Sequence, residues 1–302
     1  MKLPQTFSII VPTYNRPMAL ARCLEGIAAL DYPRERFQVI VVNDGGGAIP
    51  AASVREYEKI FELCVVCQSN RGPSAARNNG VKHARFSHFV FLDDDCVPAA
   101  NWLTEYANAA RQFPNAILGG VTENGLRENI FSEATQYLFA YLYAYYHHYP
   151  VRPIQLPYFT SNNVAMPQDA YHAVNGFDET MRHAEDRDFC ARVITAGYCL
   201  RAVPTARVLH YRALDFKLFW QQHQAYGKGA FHFHRKRALS RSYQIRFEPP
   251  RFYFEMLRYP LRHAPRAGMR VMLLVALSQG ANLFGFLRAR RTHNSSAAHN
   301  SL

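Results

Sequence analysis

No apolar run in the 302 residues reaches the about 20 residues that a membrane-crossing helix needs. The longest, 271–287, has 17 residues with Ser278, Gln279 and Asn282 inside it and basic residues on both flanks, whereas a span prefers positive charge on one side. It is expected to lie in or against a membrane interface, with packing on the domain and a true span as the alternatives. The N-terminal "MKLPQTFSIIVPTYN" carries one Lys and an apolar run too short for a secretory signal, so no export is expected and the site should face the cytoplasm. Cysteine is sparse, six residues at 23, 64, 67, 96, 190 and 199. The single close pair, Cys64 and Cys67, falls in a strand pattern where residues three apart point to opposite faces, and no second Cys/His pair stands at chelating spacing. That argues against a zinc or redox role. Acidic residues are the scarcer sign, 23 against 35 Lys and Arg, leaving a charge of +12 that suits a nucleic acid, an anionic membrane face or a phosphorylated substrate. Nucleic acid is set aside, because no RNA-recognition or helix-turn-helix signature accompanies the charge.

What is present is an alternation. "FSIIV", "FQVIVV", "LCVVCQ" and "HFVFL" read as buried strands. Between them lie a helix after Pro17, a helix over 50–62 with Val54, Tyr57 and Phe61 on one face, and a helix in "GPSAARNNGVKHA". Continuous apolar strands separated by amphipathic helices predict an α/β fold with a Rossmann-like, mainly parallel sheet flanked by helices. Further on come a helical stretch with tyrosines at 137, 141, 143, 145, 146 and 149, a short strand in "YFTSNNVAMP", a turn in "NGFDE", and a helix in "AEDRDFCARVITAG". "LRAVP" and "ARVLHY" read as two short strands, and 214–238 as a long polar helix. The tyrosines are read chiefly as core, with stacking on an acceptor as the alternative. The last dozen residues read as a solvated tail.

Ligands of such sheets bind beyond the carboxyl ends of the strands. Four polar loops fall there: "PTYN", "NDGGG", "SNRG" and "DDD". Asp93, Asp94 and Asp95 repel one another unless something positive sits among them. A divalent cation, Mn²⁺ or Mg²⁺, would answer that, and such ions are held by one or two carboxylates together with phosphates, which predicts a nucleoside diphosphate. Pro98 is expected to open the following helix. In "NRGPSAARNNG", Gly72 permits close backbone approach at a helix N-terminus, and Arg71 and Arg77 offer forked donors to phosphate.

"SIIVPTYNRP", "VIVVNDGG", "NRGPSAARNNG", "FVFLDDDCVP", "NGFDE" and "EDRDFCAR" stand in an order and spacing that resembles glycosyltransferase family 2, over about residues 7–230. The resemblance implies a GT-A fold and an inverting transfer from a nucleotide sugar. It implies that Pro12, Thr13, Tyr14 and Asn15 of the first loop, with Asp44, hold base and ribose. It places Arg77 near the nucleotide, Asp93 and Asp94 near ribose and sugar, and Asp95 on the metal with Asp93 and His210. The catalytic base falls on Asp186, with Glu185 beside it. These roles are chemically sufficient: a carboxylate takes the acceptor proton and a cation offsets charge on the departing diphosphate.

The expected organisation is a transferase domain over 1–240, its nucleotide-sugar half 1–122 and its acceptor half 123–240, then a helical, membrane-associating extension and tail over 241–302. The expected partners are a nucleoside-diphosphate sugar, a glycan or lipid-linked acceptor and an anionic membrane surface. The enzyme would sit peripherally at the inner membrane face and add single sugars, since the several spans and the Gln-x-x-Arg-Trp motif of processive relatives are missing. Two rivals are a nucleotidyltransferase, disfavoured because "PTYNRP" lacks a glycine-rich phosphate loop, and a silent sugar-nucleotide or glycan-binding protein.

Overall fold

The computed structural model describes residues 5–148, 158–238, 248–264 and 267–299. Tyr149, the Pro-spaced stretch after it and residues 300–302 lie outside the described residues. The chain divides into two compact units, Met1–Gly125 with Pro157–Tyr211, and Leu126–Leu156 with Arg212–Leu302.

The first unit alternates as expected through β1 (Phe7–Thr13), α1 (Pro17–Ala28), β2 (Phe37–Asp44), α2 (Ala51–Glu58), β3 (Glu62–Gln68), α3 (Pro73–Val81) and β4 (His88–Leu92). It continues with β5 (Cys96–Pro98), α4 (Trp102–Gln112) and β6 (Ala116–Asn124). The second unit takes α5 (Ile130–His148), after which the chain returns for β7 (Asn163–Pro167), α6 (Gln168–His172), α7 (Glu185–Thr195) and β8 (Cys199–His210). One sheet results, ordered β3-β2-β1-β4-β7-β6-β8-β5. Its first four strands are parallel, β7 runs antiparallel to β4 and β6, and β8 returns parallel to β6. Every residue of β1 and β2 is buried, which accounts for their unbroken apolar runs.

Two local expectations are corrected. Pro98 opens no helix: Cys96–Pro98 pairs antiparallel with β8 at the sheet edge, where proline's missing N–H is tolerated, and α4 begins at Trp102. The two short strands expected after α7 are one, because β8 runs unbroken from Cys199 to His210 and takes up an irregularity against β6 between Gly119 and Val121.

Buried Asn163 anchors the antiparallel half. Its Oδ1 accepts from Trp102 Nε1 at 2.8 Å and Tyr106 Oη at 2.6 Å, and its Nδ2 donates to the carbonyls of Val121 and Ala206. Such a satisfied buried amide fixes strand register at little net cost.

The second unit contains α5, α8 (Phe216–Ala238), α9 (Pro250–His263) and α10 (Gly268–His299). Helix α8, expected with the transferase domain, thus groups with the C-terminal helices, and α10 extends into the stretch expected as tail. Its core is Tyr141, Phe219, Phe252, Met256, Val271 and Val275. Tyr141 donates to the Phe252 carbonyl at 2.7 Å, so this tyrosine is core. Helices α8 and α10 touch through their backbones: a Cβ on Gly227 would lie 1.8 Å from the Asn282 carbonyl oxygen, and one on Gly285 2.1 Å from that of Gln224. The apolar run 271–287 is by itself too short for a span, but the helix around it, Gly268–Asn294, is long and apolar enough to cross a membrane by length and composition, and one face is buried. Its other face exposes Met269, Leu273, Leu283, Phe284 and Leu287.

Candidate active site

The site forms where β1, β2, β3 and β4 end, so each strand delivers polar residues to one rim. At the end of β4 the three carboxylates part company. Asp94 is wholly buried; its Oδ2 accepts from Thr13 Oγ1 at 2.6 Å and its Oδ1 lies 2.7 Å from Arg16 Nη2. Asp95 accepts from Arg16 Nη1 at 2.6 Å on one oxygen, and its other oxygen is 3.2 Å from His210 Nε2. Asp93 turns the other way and accepts from Arg77 Nη2 at 2.8 Å. The repulsion read from "DDD" is thus met by two arginines. Burial still pushes the Asp94 carboxyl up to about 7, against the pull of Arg16 and Thr13.

Arg77 is the second fork. Its Nη1 donates to Glu185 Oε1 at 3.0 Å, which ties α3 to the start of α7. Burial opposes the charge on Arg77, yet Asp93 and Glu185 outweigh it and raise its pKa above the usual arginine value. Beside Glu185, Asp186 is capped by the Arg187 backbone N–H at 2.7 Å. Burial and the neighbouring Glu185 charge push its carboxyl up to about 7. The residue before this pair, Ala184, sits at φ 60, ψ 22, a left-handed conformation that costs a β-carbon residue about 1 kcal/mol or more. That turn immediately precedes the Glu185–Asp186 pair at the start of α7.

Asp44 closes the third side. Its Oδ1 accepts from the Arg71 N–H and Gln68 Nε2, at 2.8 and 2.7 Å, and its Oδ2 from the Gly72 N–H at 2.8 Å. Gly72 adopts φ 90, which a side chain would resist, and this turns its N–H to the carboxylate while opening α3. The Arg71 side chain points away to Glu179. In the first loop Pro12 and Thr13 end β1, and Tyr14 stands exposed. Asn15 at φ 53 accepts from the Gly47 N–H at 2.8 Å.

The structure therefore brings Thr13, Asp44, Gly72, Arg77, Asp93, Asp94, Asp95, Glu185 and His210 into linked polar networks, while the Arg71 side chain leaves. Sequence reasoning missed Arg16 and Gln68. Arg16 stands three residues past the end of β1 and Gln68 is the last residue of β3, and that nearness to the polar rim is the signal that could have found them.

Asp95 and His210 suit a divalent cation, with ligand atoms that lie, together with Cys96 Sγ, within 4.8 Å of one another. Cys96 packs wholly buried in the main core, and burial raises its thiol well above the usual range, so oxygen and imidazole donors are the better pair. Asp93, expected at both ribose and metal, stands outside that group and faces Arg77.

The sheet with its acidic carboxyl rim has the GT-A fold, the fold of its structural neighbours. More narrowly, the chain belongs to glycosyl transferase family 2, whose description matches residues 8–174, more than half of its length. A mannosyltransferase from Pyrobaculum calidifontis, solved with GDP-Man and Mn²⁺, superposes at TM-score 0.60 and 19% identity, covering 100% of this chain and 82% of that one. S. aureus TarS 1–349 in complex with UDP gives 0.52 and 17%, covering 97% and 92%. At these identities the likeness is one of fold. The pre-mycofactocin glycosyltransferase of Mycobacterium tuberculosis is 28% identical over 231 residues, 74% of this chain and 46% of that protein. The glycosyltransferase AglE of Haloferax volcanii is 26% identical over 118 residues, 38% and 39% of the two chains. The chain spans less than half the length of these curated relatives.

Proposed function

We propose that the protein is a metal-dependent, inverting glycosyltransferase that moves a sugar from a nucleoside diphosphate to a glycan or lipid-linked acceptor at a cytoplasmic membrane face, one sugar at a time. One observation carries the reading: two separated acidic centres on one sheet edge, Asp95 with His210 and Glu185 with Asp186, joined through Asp93 and Arg77. Asp44 with the N–H groups of Arg71 and Gly72 would receive base and ribose, and Thr13, Tyr14 and Asn15 border that place. Asp95 and His210 would hold Mn²⁺ or Mg²⁺, whose charge offsets that on the diphosphate. The Asp186 carboxylate takes the proton from the acceptor hydroxyl as its oxygen bonds the anomeric carbon from the face opposite the breaking bond to phosphate. A carboxyl group at about 7 is matched to that work at neutral pH.

The donor class draws support from structural neighbours solved with GDP-Man and UDP, and a cell-envelope acceptor from the likeness to the poly(ribitol-phosphate) beta-glucosyltransferase of Bacillus spizizenii. Membrane association is supported by the exposed apolar stripe of α10 and the arginines at 270, 288, 290 and 291 beside it.

The test separates the two centres. Asp95→Asn is expected to lose metal-dependent nucleotide binding, whereas Asp186→Asn keeps binding and loses turnover of the donor. Turnover near wild type in Asp186→Asn would refute the base assignment.

A further inference from the structure

Arg16 stands where a divalent cation would exert its pull. Its guanidinium spans Asp94 Oδ1 at 2.7 Å and Asp95 Oδ2 at 2.6 Å, so one forked cation neutralises two buried carboxylates. The partners differ in freedom: the two carboxylate side chains are 0% and 5% exposed, while that of Arg16 is 42% exposed. The carboxylates stay in place and the guanidinium has room to leave. Arg16 follows Asn15, which sits at φ 53 and accepts from the Gly47 N–H, and it immediately precedes α1.

We infer that Arg16 and the divalent cation are alternative partners of Asp95, so that the guanidinium must turn out of the carboxylate pair before the ion is held. This deepens the donor-site reading and rests on it. Coulomb's law makes joint occupancy costly, since a guanidinium and a divalent ion on one carboxylate would sit within a few ångströms of each other. A protein whose ion-accepting arrangement is only fractionally populated binds the ion more weakly by that fraction. A bound nucleoside diphosphate offers the displaced guanidinium a new anionic partner. Nucleotide and metal should therefore bind with positive coupling, and the coupling is reciprocal. The fold thus favours loading of the ion together with its diphosphate over loading of the ion alone.

The experiment counts free Mn²⁺ by electron paramagnetic resonance as full-length protein is titrated, alone and with UDP or GDP at saturation. Arg16→Ala and Arg16→Gln are compared with wild type and with Arg207→Ala. The last removes one positive charge from β8, where Arg207 pairs with Glu123 at 3.0 Å. Melting curves confirm that each variant is folded, and the glutamine variant keeps side-chain length should the alanine variant fail to fold. The expected result is Mn²⁺ affinity without nucleotide about tenfold or more higher in the Arg16 variants, with a smaller nucleotide-induced gain than in wild type. Arg207→Ala should behave as wild type. Unchanged or weaker Mn²⁺ binding in the Arg16 variants, while wild type still takes Mn²⁺ with nucleotide, overturns the inference and leaves the donor site standing. An equal gain in Arg207→Ala also overturns it, since net charge would then explain the effect. Absence of Mn²⁺ binding in every protein, with and without nucleotide, overturns both readings.

Discussion

Arg77 and Glu185, 108 residues apart, meet at 3.0 Å in a buried ion pair that joins the two acidic centres of the site. Because the other prong of Arg77 holds Asp93, one side chain fixes the distance between the expected donor carboxylates and the expected base.

Removing Arg77 should therefore damage the fold as well as the site. Arg77→Met leaves Glu185 and Asp93 without their buried cation, and breaking such a pair by removing one partner costs about 3–5 kcal/mol. Urea unfolding should show that loss. Arg77→Lys should recover only part of it, because an ammonium cannot fork to two carboxylates. A midpoint unchanged in both variants would mean the bridge contributes nothing.

The pH dependence has a definite sign. A base must be ionised to accept a proton, so with the Asp186 carboxyl at about 7, kcat/KM for donor turnover should rise with pH through that value and fall about tenfold per unit below it. Asp186→Asn should be slower by about 100-fold to 10,000-fold and lack that limb. Stability runs the other way: the folded pKa lies above the unfolded one, so the contribution is present at low pH and lost as pH rises through about 7. Relative to wild type, Asp186→Asn should accordingly melt higher at pH 8 than at pH 5.

Asp44 gathers two backbone N–H groups and one side-chain amide, and hydrogen bonds to a charged group are worth about 1.5–3 kcal/mol each. Asp44→Ala should loosen the 69–72 loop, seen as faster amide exchange at Arg71 and Gly72, and weaken nucleotide binding at least about tenfold. Protection unchanged at those amides would show that the loop holds its shape without Asp44.

The exposed stripe on α10 makes a prediction about membranes. Leu273→Glu with Leu283→Glu should release the protein from vesicles containing anionic lipid, and about 0.5 M salt should weaken wild-type binding through the arginines. Retention by neutral vesicles equal to that by anionic ones would contradict the electrostatic part.

Much of the first unit was legible because its information is local. Apolar runs such as "FSIIV" and "FQVIVV" become central strands only if both faces are covered, and polar residues that end such runs must gather at one rim. What escaped was pairing over distance. Arg16 lies 79 residues from Asp95, and nothing in "YNRP" names its partner. Proline before a helical pattern signals a helix start, but at Pro98 pairing with β8 overrode that preference. Tyr141 shows the same limit from the other side: a tyrosine in an aromatic helix reads chiefly as core with ligand surface as the alternative, and only the packing against Phe252 decides it.

The most direct test of the central claim is calorimetric titration of the full chain with UDP, GDP, dTDP and CDP, each with and without Mn²⁺, alongside Asp95→Asn. The account predicts that one diphosphate binds, that binding needs the metal, and that Asp95→Asn abolishes it. Binding of none, or binding indifferent to both metal and Asp95, would contradict it.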